Sequence, residues 1–366
     1  MAISFPEAAS FPFQEIIMIV IGLVLIWLAI QKKYEPALLL PIGFGTILTN
    51  IPGSAAIGEH GPLTVLFNAG ISTELFPLLI FIAIGAMIDF SPLLKNPFML
   101  LFGAAAQLGI FITVIGAVLL GFDLKEAASI GIIGAADGPT SIYVANRFAP
   151  HLMGAISVAA YSYMALVPLI QPPIIKLLTT KKERLMHMDY HADEVPKIIK
   201  IIFPIAITLI AGIFVPSSVA LIGFLMFGNL IRESGVLESL SKTAQTELGN
   251  IVTILLGITI ASTMKGPDFL RPQTLYIMLL GIVAFIFDTA GGVLFAKLLN
   301  VLRKQKINPM IGACGISAFP MSARVIHQMA QKEDPFNFLL MPAVSVNVGG
   351  QIGSVIAGGL ILALVG

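Results

Sequence analysis

The sequence carries little charge and almost no cysteine. Of its 366 residues only 11% are Asp, Glu, Lys or Arg, whereas 57% are hydrophobic. A soluble domain has about 25% charged residues, so lipid is the solvent for most of this chain. The single cysteine, Cys314, excludes a disulfide framework and any multi-cysteine metal or iron–sulfur site. The net charge of +1, without a basic tract, gives no indication of nucleic-acid binding.

Two signals that indicate other kinds of protein are also missing. No basic region precedes the first apolar run, which favours a retained membrane span over a cleaved signal peptide. No Walker A motif is present, so ATP does not drive transport on this chain. What is abundant is glycine, with 34 residues, and proline, with 23. Both predict interrupted helices, which membranes tolerate where the freed backbone faces protein or a wet cavity.

Long apolar windows predict an all-α polytopic membrane protein, with residues 1–366 in a single integral membrane domain. The windows are 16–30, 37–51, 74–89, 98–121, 126–148, 154–178, 199–214, 217–231, 248–263, 275–300, 307–330 and 338–364. Most of the 21 Lys and Arg residues fall in the cytoplasm if 126–148 enters from outside and returns. Window 307–330 is then a second hairpin, entered from the cytoplasm. A broken helix that crosses the membrane only in part would leave the same number of Lys and Arg residues in the cytoplasm. We therefore predict two opposed re-entrant or broken-helix hairpins.

An internal repeat accompanies these hairpins. Asp89-Phe90 and Asp268-Phe269 each end a span, and each is followed by a proline, an apolar span and a glycine-rich segment. Because the two pairs face opposite sides, we predict a first inverted repeat at 37–178 and a second at 199–366. A cytoplasmic loop at 179–198 joins them. Secondary transporters use this plan; chance similarity among Gly- and Ala-rich segments is the alternative.

Asp137 is the clearest functional signal, because it lies in an apolar stretch, GIIGAADGPTSIYVA, that Gly-Pro interrupts. An ionised carboxylate at membrane depth is energetically unfavourable unless a cation or a hydrogen-bond donor stabilises its charge. The break frees backbone carbonyls, and Thr140 and Ser141 add hydroxyls. Such hard oxygens favour Na⁺ or H⁺ over a transition metal. The structural alternative is a protonated Asp137 that bonds to a neighbouring helix.

The second hairpin, NPMIGACGISAFPMSAR, offers Asn308, Ser317, Ser322 and Arg324. An arginine in this setting either pairs with an anion or snorkels to the cytoplasmic surface. Near the C-terminus, SVNVGGQIGS places Asn347 on a glycine-rich span. Its amide either supplies a neutral oxygen to a cation or bonds to another helix.

Two further residues are candidates at membrane depth. Tyr163, in AAYSYMALVPLIQPP, is a candidate proton donor, although tyrosines also anchor helices at membrane interfaces. Asp288, in IVAFIFDTAGG, is a second intramembrane acid. It is either a secondary functional residue or a shallower, structurally paired one.

Three long motifs resemble the β subunits of the biotin-dependent, sodium-translocating decarboxylases. They are the segment from GAADGPTS to LLTTKKER, NPMIGACGISAFPMSARV and SVNVGGQIGSVIAGG, and the resemblance runs from about the third span to the C-terminus. It implies catalytic roles for Asp137, Tyr163 and Arg324. It also implies a Na⁺ site at Asp137, Asn308, Gly312, Ser317 and Asn347.

The resemblance implies a carboxybiotin decarboxylase that exports Na⁺ and consumes a proton from outside. Carboxybiotin would arrive on a biotinylated carrier and carboxyltransferase α subunit, without covalent attachment to this chain. A small γ-type membrane subunit, a trimeric assembly and the bacterial cytoplasmic (inner) membrane are also implied. Family members act on oxaloacetate, methylmalonyl-CoA, glutaconyl-CoA or malonate, and the choice stays open because that chemistry lies on the partner subunit. The alternative function is a stand-alone Na⁺-coupled secondary carboxylate transporter with the same hairpins and no chemistry.

Overall fold

The computed structural model describes residues 12–188 and 194–366, so residues 189–193 of the predicted cytoplasmic loop lie outside the described residues. Within these ranges the secondary structure is helical, without strands. The helices up to the first hairpin are α1 (Phe13–Gln31), α2 (Pro36–Asn50), α3 (Pro62–Leu66), α4 (Leu75–Met87), α5 (Ser91–Lys95), α6 (Leu100–Ala105), α7 (Leu108–Leu119), α8 (Leu124–Gly131) and α9 (Gly138–Phe148). The helices that follow are α10 (Met153–Leu178), α11 (Lys181–Arg184), α12 (Lys197–Phe214), α13 (Val219–Ser234), α14 (Glu238–Thr243), α15 (Gly249–Ile260), α16 (Gly266–Phe269), α17 (Pro272–Leu302), α18 (Met321–Glu333) and α19 (Leu340–Val365).

The predicted all-α membrane architecture is confirmed. Six helices within the described residues are long and apolar enough to cross a bilayer, and two bent pairs raise the number to eight. One of these pairs makes up α10 and the turn before it. Its two parts, Pro150–Met164 and Leu166–Leu178, meet at an angle of 65°. Prolines 168, 172 and 173 lie in this helix and each removes a backbone donor. The window at 154–178 is therefore one bent helix rather than a straight span.

The helices divide into an outer and an inner set. The outer set includes α1 and α12, where Leu209, Ile213 and Phe214 are among many large apolar side chains that remain exposed. Such surfaces are stable against lipid or another subunit. By contrast, α19 is buried along most of its length and carries several buried polar residues. The inner helices are therefore the ones that position a polar site.

Hairpin 1 consists of α8, the 3₁₀ turn Ile132–Ala135 and α9. A capping box of Asp123 and Glu126 starts it, and Glu126 also lies 2.8 Å from the imidazole of His151, just after α9. Because these two residues flank the segment, its ends lie together and the chain enters and returns. The predicted hairpin at 126–148 is confirmed.

Hairpin 2 consists of the 3₁₀ segment Pro309–Gly315 and α18. Asn308 before it and Asn337 after it both donate to the carbonyl of Arg184, at 3.0 and 3.2 Å. The guanidinium of Arg184 also pairs with Glu333 at 2.7 Å. Both ends of hairpin 2 therefore meet the loop that follows α10, and the hairpin predicted at 307–330 is confirmed.

The long helix α17 shows that the two hairpins enter from opposite sides. Its first turn, at Thr274, lines a cavity of about 250 Å³ together with Glu126 and His151 at the base of hairpin 1. Near its other end, Lys297 donates to the carbonyl of Leu178, beside the loop that holds hairpin 2. A helix of 31 residues is about 46 Å long, so the two bases lie on opposite faces of the helical layer.

The packing of the halves is consistent with the predicted inverted repeat. Helix α10 packs along α17, and α19 packs along α6. Helix α4 packs against α13, and α2 against α15. In each of these pairs a helix of the first half contacts a helix of the second, as expected for two halves of opposite orientation. The repetition of 37–178 in 199–366 stays a prediction.

Candidate functional site

The tips of the two hairpins meet in the interior. The backbone N–H of Ser317, in hairpin 2, donates to the carbonyl of Ala135, in hairpin 1, at 2.9 Å. In hairpin 1 the chain leaves its 3₁₀ turn through Ala136, whose φ of 52° is left-handed. Asp137 then caps α9 by accepting from the N–H of Thr140 at 3.2 Å. The Gly-Pro break therefore fixes a carboxylate at the helix junction, 2% exposed.

Helix α19 supplies the remaining hydrogen bonds to this carboxylate. The hydroxyl of Ser354 donates to Asp137 Oδ2 at 2.9 Å, and the amide of Gln351 donates to the same oxygen at 3.3 Å. The hydroxyls of Thr140 and Ser317 also lie beside the carboxyl group. All of these partners are neutral, so the carboxylate is surrounded by polar groups without an opposing positive charge among them.

Asn347 joins α19 to the tip of hairpin 2. Its amide nitrogen donates to the carbonyls of Cys314 and Ile316, at 3.2 and 2.7 Å. These carbonyls are free because the helix is interrupted there. The amide oxygen of Asn347 is buried and has no hydrogen-bond partner among the described residues. It is therefore available to a cation.

Tyr161, rather than Tyr163, is the tyrosine beside Asp137. A Cβ on Gly138 would lie 2.1 Å from the ring of Tyr161 and 2.7 Å from its hydroxyl oxygen, so only glycine fits at this position. The hydroxyl of Tyr161 is buried without a partner in the described part of the chain. The phenol of Tyr163 instead donates to the carbonyl of Met278.

Asn308 and Gly312 make contacts of another kind. The amide of Asn308 donates to the carbonyls of Arg184 and Met186 and accepts from the N–H of Met310 at 3.0 Å. A Cβ on Gly312 would lie 2.1 Å from the carbonyl oxygen of Gly292 on α17. In this conformation the two residues hold hairpin 2 in place and do not contact the Asp137 carboxylate.

Arg324 lies in the first turn of α18, close to the break in hairpin 2. Its side chain is exposed. No ion pair of the described residues involves it. The guanidinium is therefore available to an anion.

Sequence reasoning missed three residues at this site: Tyr161, Gln351 and Ser354. For the two on α19 a signal existed, because Asn347, Gln351 and Ser354 follow a spacing of four and three that puts them on one helical face. For Tyr161 no local pattern separated it from Tyr163, since the two lie on different faces of a helix that bends just beyond them.

An all-helical membrane protein in which two broken hairpins meet at a buried carboxylate belongs to the class of polytopic ion-transport proteins. The chain matches the family model of the Na⁺-transporting oxaloacetate decarboxylase beta subunit over residues 14–365. It therefore belongs to this family, as its motifs predicted.

Relatives with different substrates resemble it over nearly their whole length. The beta subunit of glutaconyl-CoA decarboxylase from Acidaminococcus fermentans is 52% identical over 98% of this chain and 95% of its own. The beta subunit of methylmalonyl-CoA decarboxylase from Veillonella parvula is 53% identical over 95% of this chain and 92% of its own. The oxaloacetate decarboxylase beta chain from Klebsiella pneumoniae is 46% identical, with 94% of each chain covered. The predicted membrane subunit of a sodium-transporting decarboxylase is confirmed.

Proposed function

We propose that this chain binds Na⁺ at Asp137, between the two hairpin tips, and couples its export to the decarboxylation of carboxybiotin. The observation that carries the proposal is the set of neutral oxygens around a buried carboxylate. A lone carboxylate at this depth is unfavourable, and a cation neutralises it. Hard oxygen ligands of this kind suit Na⁺.

Three elements supply the proposed ligands. Hairpin 1 gives the carboxylate of Asp137, hairpin 2 gives the hydroxyl of Ser317, and α19 gives the hydroxyl of Ser354 and the amide oxygen of Asn347. Because the ligands belong to separate elements, movement of one hairpin tip would open the site to one side or the other. Asn308 and Gly312 would support hairpin 2 rather than bind the ion.

Arg324 is the proposed recognition group for the anionic partner. Carboxybiotin loses its carboxylate as CO₂ when the ureido nitrogen of the biotin is protonated. The free energy of this reaction would drive the export of Na⁺. An exposed guanidinium in the first turn of α18 attracts that carboxylate, with a planar fork that matches its two oxygens. The Asp137 site, with Tyr161 beside it, would hold the proton that is consumed, whereas Tyr163 would bond structurally to Met278.

The proposed orientation places the open end of hairpin 2 in the cytoplasm. Lys181, Lys182 and Arg184 lie in the loop beside it, as the positive-inside rule requires. The base of hairpin 1 would then face the exterior of a bacterial cytoplasmic membrane. The biotin carrier of an α subunit would approach from the cytoplasm, and a γ-type membrane subunit and two further copies of this chain would complete the assembly.

Replacing Asp137 tests the sodium site. In the purified complex, reconstituted into vesicles, Asp137→Asn should abolish both Na⁺ uptake and Na⁺-dependent CO₂ release. Asp268→Asn serves as the matched control, since Asp268 is an exposed acid that pairs with Arg271 in its own segment. An Asp137→Asn variant that still pumped Na⁺ at the normal rate would exclude the proposal.

Replacing Arg324 tests the carboxylate recognition separately. Arg324→Ala should abolish CO₂ release while Na⁺ still binds, because Arg324 is not among the groups that surround the Asp137 carboxylate. Arg324→Lys should restore activity only partly, since lysine lacks the bidentate fork. Normal turnover in the alanine variant would mean that the guanidinium only snorkels to the surface.

A further inference from the structure

Asp288, on α17, is a fully buried acid outside the Asp137 site. Its Oδ1 accepts from the backbone N–H of Gly109 at 2.5 Å, and the N–H of Ile110 also donates to the carboxyl group. These donors belong to the first turn of α7, where the span of α6 and α7 is broken at Ala106 and Gln107. The carboxyl group therefore caps the broken end of α7 from a different helix.

The second oxygen of this carboxyl group faces hairpin 1. A Cβ on Gly134 would lie 2.3 Å from Asp288 Oδ2, so the oxygen packs directly against the backbone of the 3₁₀ turn. It has no hydrogen-bond partner among the described residues. Gly134 precedes Asp137 by three residues, so Asp288 touches the turn that carries the proposed sodium ligand.

The surroundings of Asp288 offer no compensating cation. Among the described residues, the titratable groups on α17 and on the elements packed against it are Lys125, Glu126, Tyr161, Tyr163, Lys176, Tyr276, Lys297 and Cys314, with Asp137 next to them. The three lysines lie elsewhere. Lys125 is over the ring of Phe148 near the base of hairpin 1, Lys176 lines an open cavity with Glu333, and Lys297 donates to the carbonyl of Leu178. An ionised Asp288 would thus be a buried and unpaired charge, which is strongly unfavourable.

The walls around Oδ2 also distinguish a proton from a sodium ion. Apart from the carboxyl group itself, the nearest neighbour of a Cβ built at Gly134 is the methyl of Ala284. Around Asp137, in contrast, hydroxyl groups of hairpin 1, hairpin 2 and α19 converge. Asp288 lacks such a ligand set, whereas a single proton neutralises the carboxyl group without coordinating ligands.

We propose that Asp288 is a protonated carboxylic acid that fixes hairpin 1 to the broken end of α7 and thereby positions Asp137. It is a positioning residue and does not touch the ion. The positioning role rests on the proposed sodium site at Asp137, whereas the protonation of Asp288 does not.

Infrared difference spectroscopy tests the protonation directly. Spectra of the purified complex, recorded for wild type against Asp288→Asn at neutral pH, should show the C=O stretching band of a protonated carboxylic acid in the wild type alone. The band should persist with and without Na⁺. Asp268→Asn, which removes an exposed acid, should leave it unchanged. Absence of the band, or its loss when Na⁺ is added, would overturn the proposal, and this readout is independent of activity.

Paired substitutions test the positioning role. Asp288→Asn keeps a neutral acceptor for Gly109 and should change the Na⁺ affinity, measured by calorimetry, by no more than about twofold. Asp288→Ala should weaken it about tenfold, a change of about 1.4 kcal/mol. Gly134→Ala should weaken it as well, but add less in the Asp288→Ala background, where the contact with Asp288 Oδ2 at 2.3 Å is gone and only the one with Ala284 Cβ at 2.9 Å remains.

The outcomes separate the two proposals. Equal losses in Asp288→Asn and Asp288→Ala would mean that the proton itself is needed, which overturns the positioning role. Strictly additive effects of Gly134→Ala and Asp288→Ala would also overturn it. If the infrared band is present but Asp137→Asn still binds Na⁺ normally, the sodium site is wrong and the protonated Asp288 stands.

Discussion

Two buried aspartates in this molecule show how neighbouring residues determine whether a carboxylate is suited to Na⁺ or to a proton. Asp137 faces the hydroxyls of Ser354 and Ser317, and the same face of α19 carries Asn347, whose amide oxygen is buried without a partner among the described residues. These groups could complete the coordination of a metal ion. Asp288 faces backbone N–H groups on one side and a glycine on the other. The same side chain therefore suits Na⁺ in one position and a proton in the other.

Na⁺ and H⁺ should compete for Asp137. A carboxylate is neutralised by either cation, and holding both would leave excess charge in a medium of low dielectric constant. Two unit charges 4 Å apart interact by about 4 kcal/mol at an effective dielectric of about 20. Na⁺ affinity should therefore fall as the pH decreases, with one proton released per ion bound at a shared locus.

Calorimetry of Na⁺ binding across neutral pH measures this competition. Loss of a neutral ligand, as in Asn347→Ala, should weaken binding without removing the dependence on pH, whereas Asp137→Asn should remove both. An affinity that does not change with pH in the wild type would show that the two cations do not share the site.

The two tyrosines of α10 should respond differently to loss of their hydroxyls. Tyr163→Phe removes the hydrogen bond to Met278 and should lower the free energy of unfolding by about 1 kcal/mol. Tyr161→Phe removes a hydroxyl that has no partner among the described residues, so it should leave stability nearly unchanged and weaken Na⁺ binding instead. Thermal unfolding in detergent and sodium calorimetry distinguish the two effects, and the reverse pattern would contradict this assignment.

At the scale of elements, glycines allow the hairpins to approach their neighbours closely. Gly138 admits the ring of Tyr161, and Gly312 and Gly292 bring hairpin 2 against α17, where an added Cβ on either would lie about 2 Å from a carbonyl oxygen. The contacts of Gly312 and Gly292 are between backbones, which cannot move aside as a flexible side chain can. The glycine-rich motifs therefore fix the position of each hairpin as well as interrupting its helix.

Gly312→Ala should act through this packing. The added methyl would overlap Gly292 and should destabilise the fold by about 1–3 kcal/mol, with reduced turnover that saturating Na⁺ does not restore. Gly223→Ala is the matched control, since its Cβ would find nothing closer than 3.8 Å. If high Na⁺ rescued Gly312→Ala fully, Gly312 would belong to the ion site rather than to the packing of hairpin 2.

At the scale of the whole molecule, the opposed hairpins make a prediction about topology. His151 lies at the base of hairpin 1 and His187 beside the base of hairpin 2, with side chains 59% and 55% exposed. Because the native Cys314 is buried, single cysteines introduced at these positions can be labelled against a low background. An impermeant maleimide should reach His187→Cys only from the cytoplasm and His151→Cys only from outside. Labelling of both from one side would rule out opposed hairpins.

Much of the architecture could be predicted from the sequence because the relevant quantities are local. The length of apolar runs determines which segments enter lipid, and the distribution of Lys and Arg separates hairpins from full spans. Asp137 was recognisable for the same reason, since Gly138 and Pro139 beside it interrupt its own helix. The family motifs then added the decarboxylase and the sodium ion.

Only the tertiary structure decided which groups surround that carboxylate. Asn308 has the chemistry of an ion ligand, yet its amide binds the loop at Arg184. Tyr161 and Tyr163 are two residues apart, and the direction in which each points depends on how α10 packs against α17 and hairpin 1. A sequence specifies side chains and local turns, whereas the meeting of hairpin 1 with α19 depends on contacts between residues 214 and 217 positions apart in the chain.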